Sequence, residues 1–296
     1  MWLHRVDKAH IREKISAVLM CNNRGPWYAL YSQSKKLVRP LYSQSKKLLG
    51  PLYSQWKLVG PSRLGMLDYL LGRRKGPLAS PFNGQEVRQD LFRHLLQACR
   101  PAAVIETGTY LGSSTDFMAE CSRLPVYSVE ADARSYGFAK MRLRKYDNVK
   151  LSLGDSRKFI TKFIEVEASK YAGHPLLFYL DAHWGDDLPL YEEIAKIFSS
   201  CLQAIVMIDD FQVPDDDGYG YDDYGVGQTL TTKYIAPIVS QFELAEFYPR
   251  TPSAVETGLR RGCVVVARNP TLIDALEGIL LLRRWKANRL SKMQSN

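Results

Sequence analysis

Val104-Ile105-Glu106-Thr107-Gly108-Thr109-Tyr110-Leu111-Gly112-Ser113-Ser114 is the stretch that decides the fold. An apolar run of strand length ends at a carboxylate, Gly108 lets the backbone turn tightly, and Gly112 opens a segment with helical patterning. The alternation continues on both sides. Upstream, Gly84 to Cys99 reads as an amphipathic helix with Val87, Leu91, Leu95 and Leu96 on one face, stopped by Pro101. Downstream, strand-length apolar runs occupy residues 126–129, 149–153, 176–180, 204–208 and 263–267. Helical stretches at about 112–122, 133–146, 156–171 and 188–201 separate the first five strands. Continuous apolar strands alternating with helices predict a mostly parallel sheet covered on both faces. In such sheets ligands bind beyond the carboxyl ends of the strands, so the residues just after each strand are the candidates for chemistry.

The first strand end offers Glu106, Gly108, Thr109, Tyr110, Gly112 and Ser113, with free helix N–H groups facing the cleft. The second strand ends in Glu130, where an acidic residue commonly takes the hydroxyls of an adenosine ribose. The third ends in Gly154-Asp155-Ser156, polar groups suited to an adenine edge. Together they predict a nucleoside-type cofactor, and Glu106 selects among such cofactors. A dinucleotide would place its pyrophosphate at this helix N-terminus, where a carboxylate repels it. The glycine spacing is also G-x-x-x-G and not G-x-G-x-x-G. S-adenosylmethionine carries an ammonium and a sulfonium, which a carboxylate attracts.

The fourth strand ends in Asp181-Ala182-His183-Trp184 and the fifth in Asp209-Asp210-Phe211. Adjacent parallel strands bring these carboxylates into one small volume, where they repel unless a cation or proton joins them. Oxygen-only ligands from Asp181, Asp209 and Asp210 favour a hard divalent ion such as Mg2+. A lone Asp at such a position would more simply cap a loop; three together argue for an ion.

These motifs resemble the class I S-adenosylmethionine-dependent methyltransferases, and the Asp181 and Asp209-Asp210 segments resemble their metal-dependent O-methyltransferase branch. That branch includes catechol and macrolide-sugar O-methyltransferases and the cephalosporin-hydroxylase-like group. The resemblance covers about residues 83–270. It implies a Rossmann-like, doubly wound, mostly parallel seven-stranded sheet. It also implies cofactor contacts at Glu106, Gly108, Tyr110, Glu130 and Ser156, and metal ligands at Asp181, Asp209 and Asp210. Two departures stand out: Ala182 separates Asp181 from His183-Trp184, and Gly185 stands where catechol enzymes carry a lysine. His183 and Asp181 are therefore the candidate catalytic residues, His183 as general base or as the group that orients Asp181. The expected reaction moves a methyl group to a hydroxyl of a small polar acceptor, a sugar or diol-type natural product. A non-methylating S-adenosylmethionine- or metal-binding protein of the same fold, or a hydroxylase-like activity on it, is the alternative. The Gly-, Tyr- and Asp-rich run from Val213 to Gly225 reads as a lid or acceptor loop, or as a solvated acidic loop.

Charge divides the chain. The net charge is +9, yet residues 1–75 hold 15 Lys/Arg against only Asp7, Glu13 and Asp68, while the remainder holds 25 against 28 acids. The composition shift and the Gly/Pro-rich run Gly76 to Pro81 predict a basic N-terminal extension over 1–80, a methyltransferase domain over 81–270, and a C-terminal helix and tail over 271–296. The extension repeats itself: Leu30 to Pro40 recurs as Leu41 to Pro51 and, one residue shorter, as Leu52 to Pro61. Each copy can form a short helix with Leu and Tyr on one arc and Lys and Arg opposite, ending at proline. Such a face suits peripheral contact with an anionic membrane through residues 30–61. It equally suits a homo-oligomeric arm, a strap on the catalytic domain, or a tether. A nucleic-acid substrate is disfavoured, because the fourth strand end lacks the (Asn/Asp)-Pro-Pro-aromatic signature of base methylation. No apolar run approaches the roughly 18 to 20 residues needed to span a bilayer. Five scattered cysteines without a C-x-x-C pair point to a reducing, cytoplasmic setting.

Overall fold

The computed structural model describes residues 60–74, 76, 79–183, 187–201 and 203–285. The expected repeats up to Val59, the Trp184-Gly185 pair and the tail beyond Trp285 lie outside them. The helices are α1 (Pro61–Leu70), α2 (Glu86–Cys99), α3 (Ser113–Ser122), α4 (Ala133–Leu143), α5 (Ser156–Val166), α6 (Leu190–Ser200), α7 (Thr232–Phe242) and α8 (Pro270–Glu277). The strands are β1 (Ala103–Thr107), β2 (Val126–Glu130), β3 (Val149–Leu153), β4 (Leu176–Leu180), β5 (Ala204–Asp209), β6 (Ala245–Pro249), β7 (Cys263–Ala267) and β8 (Leu282–Arg284).

They form one sheet in the order β3-β2-β1-β4-β5-β7-β6-β8. The first five in that order are parallel neighbours, β7 is antiparallel to both β5 and β6, and β8 is antiparallel to β6. The sheet is thus Rossmann-like and doubly wound, and the order reverses between β1 and β4, which opens a crevice at the carboxyl edge. Strands β1, β2, β4, β5 and β7 are buried at every position, as strands covered on both faces must be. One apolar layer packs Ile105, Phe178 and Val206 under α5, α6 and α7; the other packs Val104, Val265 and Met207 under α2, α3 and α8.

Two elements depart from the sequence-based expectation. The sheet has eight strands where seven were expected, because the helix expected within 271–296 ends at Glu277. Gly278 caps it, and the chain returns along β6, with Trp285 N donating to Glu246 O at 2.8 Å. Covering that edge satisfies backbone groups that a helix would have left open. The second departure is α1. Placed by sequence in the extension, Pro61–Leu70 belongs to the folded unit that begins at Gly60. It crosses α4 where glycine faces backbone: a Cβ on Gly65 would lie 1.8 Å from Arg134 O, and one on Gly137 1.8 Å from Ser62 O. Buried Asp68 accepts from Arg134 Nε at 2.7 Å, and Tyr69 meets Phe138 edge-on at 5.3 Å. The contact is specified by small residues and by buried Asp68, which pairs with the part-exposed Arg73, Arg74 and Arg134, not by an apolar stripe. Among the described residues, no helix is long and apolar enough to cross a membrane.

Candidate active site

Alternation along β1 turns Glu106 toward the α2/α3 face just below the crevice. It is 1% exposed, and its Oε2 accepts from the hydroxyls of Thr115 and Ser128. Burial pushes its carboxyl up to about 7, and the two hydroxyl donors pull the other way. Thr109 joins the same group through Ser128, the two hydroxyl oxygens being 2.5 Å apart. Above it, the loop to α3 uses left-handed backbone at Gly108, Tyr110 and Gly112. Gly108 admits no side chain, since a Cβ there would lie 2.1 Å from Asp181 O. The cofactor-type loop therefore abuts the end of β4, and Asp181 N donates to Thr107 O at 3.0 Å.

Glu130, 8% exposed at the end of β2, accepts from Tyr110 N at 2.5 Å and Asp132 N at 2.7 Å. It thereby ties the β1 loop to the start of α4. Ser113 and Ser156 sit buried at the first turns of α3 and α5. Asp155 is committed elsewhere. It caps α5 through Arg157 N and Lys158 N, and its ion pair with Arg157 leads the effects holding its carboxyl below the usual range. Arg157 reaches on to Asp187 and Glu192. The structure accordingly brings Glu106, Gly108, Thr109, Tyr110, Gly112, Ser113, Glu130 and Ser156 to one edge, with Asp155 serving as cap.

The acidic group assembles differently from the expected set. Ligand atoms of Asp181, His183 and Asp210 lie within 4.8 Å of one another, a spacing that can hold a metal ion. Asp209 is not among them. It is fully buried, one oxygen taken by Arg88 Nη1 and the other by Tyr179 Oη at 2.6 Å. The expected Asp181, Asp209, Asp210 set is corrected on that point: Asp209, the last residue of β5, spends both oxygens on Tyr179 and on Arg88 of α2, whereas Asp210 leaves the strand with a left-handed φ of 51° and comes within ligand spacing of Asp181 and His183. Asp210 is held by Arg261 Nε at 2.6 Å, and Arg261 also pairs with Asp222. Burial, then neighbouring Asp209 and Asp210, push the Asp181 carboxyl well above its ordinary value. His183, 4% exposed, is pushed below its ordinary value by burial and is neutral at pH 7. Its Nε2 has no hydrogen-bond partner and stands 3.8 Å from both Asp181 Oδ1 and Asp222 Oδ2.

Arg88, Arg261, Asp222 and Tyr224 are site residues that the sequence reading missed. Arg88 had a signal: it interrupts the stripe 88, 91, 92, 95, 99 that α2 buries. Asp222 and Tyr224 lie in the Gly/Tyr/Asp-rich segment, which is strapped down and does not hang as a free lid. Tyr224 Oη donates to His183 O at 2.9 Å, Asp222 N to Asp210 O at 2.9 Å, and buried Tyr219 to Thr251 O at 3.0 Å.

Fold and crevice together define a Rossmann-like α/β protein with its site at the β1/β4 reversal of strand order. Solved structures to which the chain is similar include the O-methyltransferase TomG from Streptomyces achromogenes, involved in tomaymycin synthesis, in complex with S-adenosylmethionine. The identity is 16% over 62% of this chain and 80% of that one, with a TM-score of 0.44. An O-methyltransferase from Bacillus cereus in complex with S-adenosylhomocysteine is 15% identical over 62% and 81%, with a TM-score of 0.43. The S-adenosylhomocysteine-bound methyltransferase PaMTH1 from Podospora anserina is 16% identical over 61% and 77%, with a TM-score of 0.44. No protein-family model matches the chain, and no curated protein matches it.

Proposed function

We propose that the protein transfers the methyl group of S-adenosylmethionine to a hydroxyl of a small polar acceptor, with a divalent cation held at the carboxyl edge. The observation that carries this reading is the abutment of Gly108 on Asp181. The loop that would hold the sulfonium and the acidic group that would meet the acceptor form one continuous surface. Glu106, buried beneath the loop, supplies the negative charge that an amino acid ammonium seeks, and Glu130 offers a carboxylate at the ribose position.

The reaction is an in-line displacement: the acceptor oxygen forms a bond to the methyl carbon, the sulfonium bond breaks, and the hydroxyl proton leaves. Holding acceptor and methyl in line accounts for much of the rate gain available to such a reaction. A divalent cation, when bound, supplies Lewis-acid charge that orients acceptor oxygens and eases hydroxyl ionisation. Asp181 and Asp210 suit that ion, because their carboxylates converge. The residues within reach of the hydroxyl proton are His183, neutral and unpartnered at Nε2, and the carboxylates of Asp181 and Asp222. The concentration of carboxylates at Asp181, Asp210 and Asp222 favours a neutral hydroxylated acceptor over a polyanion. The basic repeats, on this reading, concern location or assembly, at a membrane surface or with a second copy.

The test is calorimetric titration of the full chain with S-adenosylhomocysteine, followed by a methyl-transfer screen against sugar and diol acceptors with and without chelator. Binding that weakens by about tenfold or more in Glu130→Ala, at roughly 1.4 kcal/mol per tenfold, supports the reading. Absence of cofactor binding in the wild type overturns it.

A further inference from the structure

We propose that His183 is a metal ligand: the cation is held by Asp181, His183 and Asp210, with Asp222 beside them, and is a first-row transition ion, for which Mn2+ is the paramagnetic probe, in preference to Mg2+. The proposal deepens the methyl-transfer reading and rests on it only for what the ion is used for. The resemblance implies an all-carboxylate set that includes Asp209, and the side chains do not assemble one. Arg88 and Tyr179 take both oxygens of Asp209, so a guanidinium already occupies the place a cation would need there.

What converges instead contains nitrogen. His183 Nε2 is buried without a partner, an arrangement that is unfavourable unless something binds it. It faces Asp181 Oδ1 and Asp222 Oδ2, each at 3.8 Å. Among the described residues, neither oxygen of Asp181 accepts a hydrogen bond, and Asp210 gives Oδ1 to Arg261. Arg261 grips Asp210 and Asp222 from outside, and Tyr224 anchors the carbonyl of His183, so the ligands are oriented by a surrounding shell. Carboxylates alone suit Mg2+, whereas an imidazole nitrogen shifts preference toward first-row transition ions. One consequence follows for catalysis. The lone pair of Nε2 can bind a cation or a proton but not both, so His183 positions the ion and the hydroxyl proton goes to a carboxylate or to water.

The full chain, stripped with chelator, is titrated with Mn2+ and with Mg2+, and the Mn2+ form is examined by pulsed electron paramagnetic resonance. S-adenosylhomocysteine is titrated into the same samples. The expected result is Mn2+ bound roughly tenfold or more tightly than Mg2+, with modulation from a directly bound nitrogen. Both features are lost in His183→Gln, which removes the imidazole. If that variant does not fold, nitrogen modulation in the wild type decides alone. Mn2+ bound without nitrogen modulation, Mg2+ bound as tightly as Mn2+, or no binding of either ion overturns the assignment. Nitrogen-ligated Mn2+ together with no binding of S-adenosylhomocysteine supports the site and overturns the methyl-transfer reading instead.

Discussion

Glu106 is a residue whose surroundings predict a measurable pH dependence. Burial holds its carboxyl up at about 7, so below that pH it carries a proton in the folded protein. A bound ammonium favours the ionised form, so binding must release that proton. Affinity for S-adenosylhomocysteine, which keeps the ammonium, therefore rises with pH up to about 7 and levels off above it, by up to roughly tenfold per pH unit on the rising limb. Calorimetry at several pH values reads the slope directly, and Glu106→Gln flattens it. Arg88 predicts a stability effect. Its partner Asp209 is held below the usual carboxylate range: burial opposes this, and Arg88 and the Tyr179 hydroxyl overcome it. Replacing Arg88 by Met strands a buried charge and costs about 3–5 kcal/mol, measured by urea unfolding. Arg88→Met with Asp209→Asn recovers part of that loss, because the stranded group is then neutral.

Among the elements, α1 and its seat on α4 carry the clearest prediction. Gly137→Ala places a methyl group against the carbonyl of Ser62, and a helix backbone cannot yield as a side-chain tip can. The variant lifts α1, lowers stability by about 1–3 kcal/mol, and raises protease sensitivity near residues 60–74 while the sheet's amides stay protected against hydrogen exchange. Sequence patterning could not show this contact, because α1 has no apolar stripe and its interface is made by glycines and Asp68. The strands were legible for the opposite reason. Runs such as 176–180 and 204–208 are apolar at successive positions over strand length and are rich in β-branched and aromatic residues, the pattern of a strand buried on both faces. The helix expected within 271–296 stops at Glu277, beyond which an apolar run that suits either state is captured by the open edge of β6.

For the whole molecule, two buried carboxyls act together on stability. Glu106 and Glu193 both rise to about 7 through burial, from an ordinary value near 4.5. A raised carboxyl favours folding while protonated. The contribution is therefore complete below about pH 4.5 and is lost as pH rises through 7. Thermal melts of the ligand-free chain between pH 5 and 8 are expected to show that decline superposed on the other titrations, with a shallower slope in Glu193→Gln. A saturating cofactor partly offsets it, because the ammonium stabilises ionised Glu106.

The sequence by itself determined what is local and periodic: the alternation of strands and helices, the two-glycine loop after β1, the acidic closures at Glu106, Glu130, Asp181 and Asp210, and the split between a basic extension and an acidic remainder. Each follows from residue types at short spacing, which the chain carries wherever it folds. Only the tertiary structure decided which carboxylates share a volume. Asp209 and Asp210 are neighbours in sequence, but the end of β5 and a left-handed turn at Asp210 send one to Arg88 and the other to His183 and Asp181. Arg88, Arg261 and Asp222 come to them from distant segments, and their charges select which acidic groups stay open for an ion.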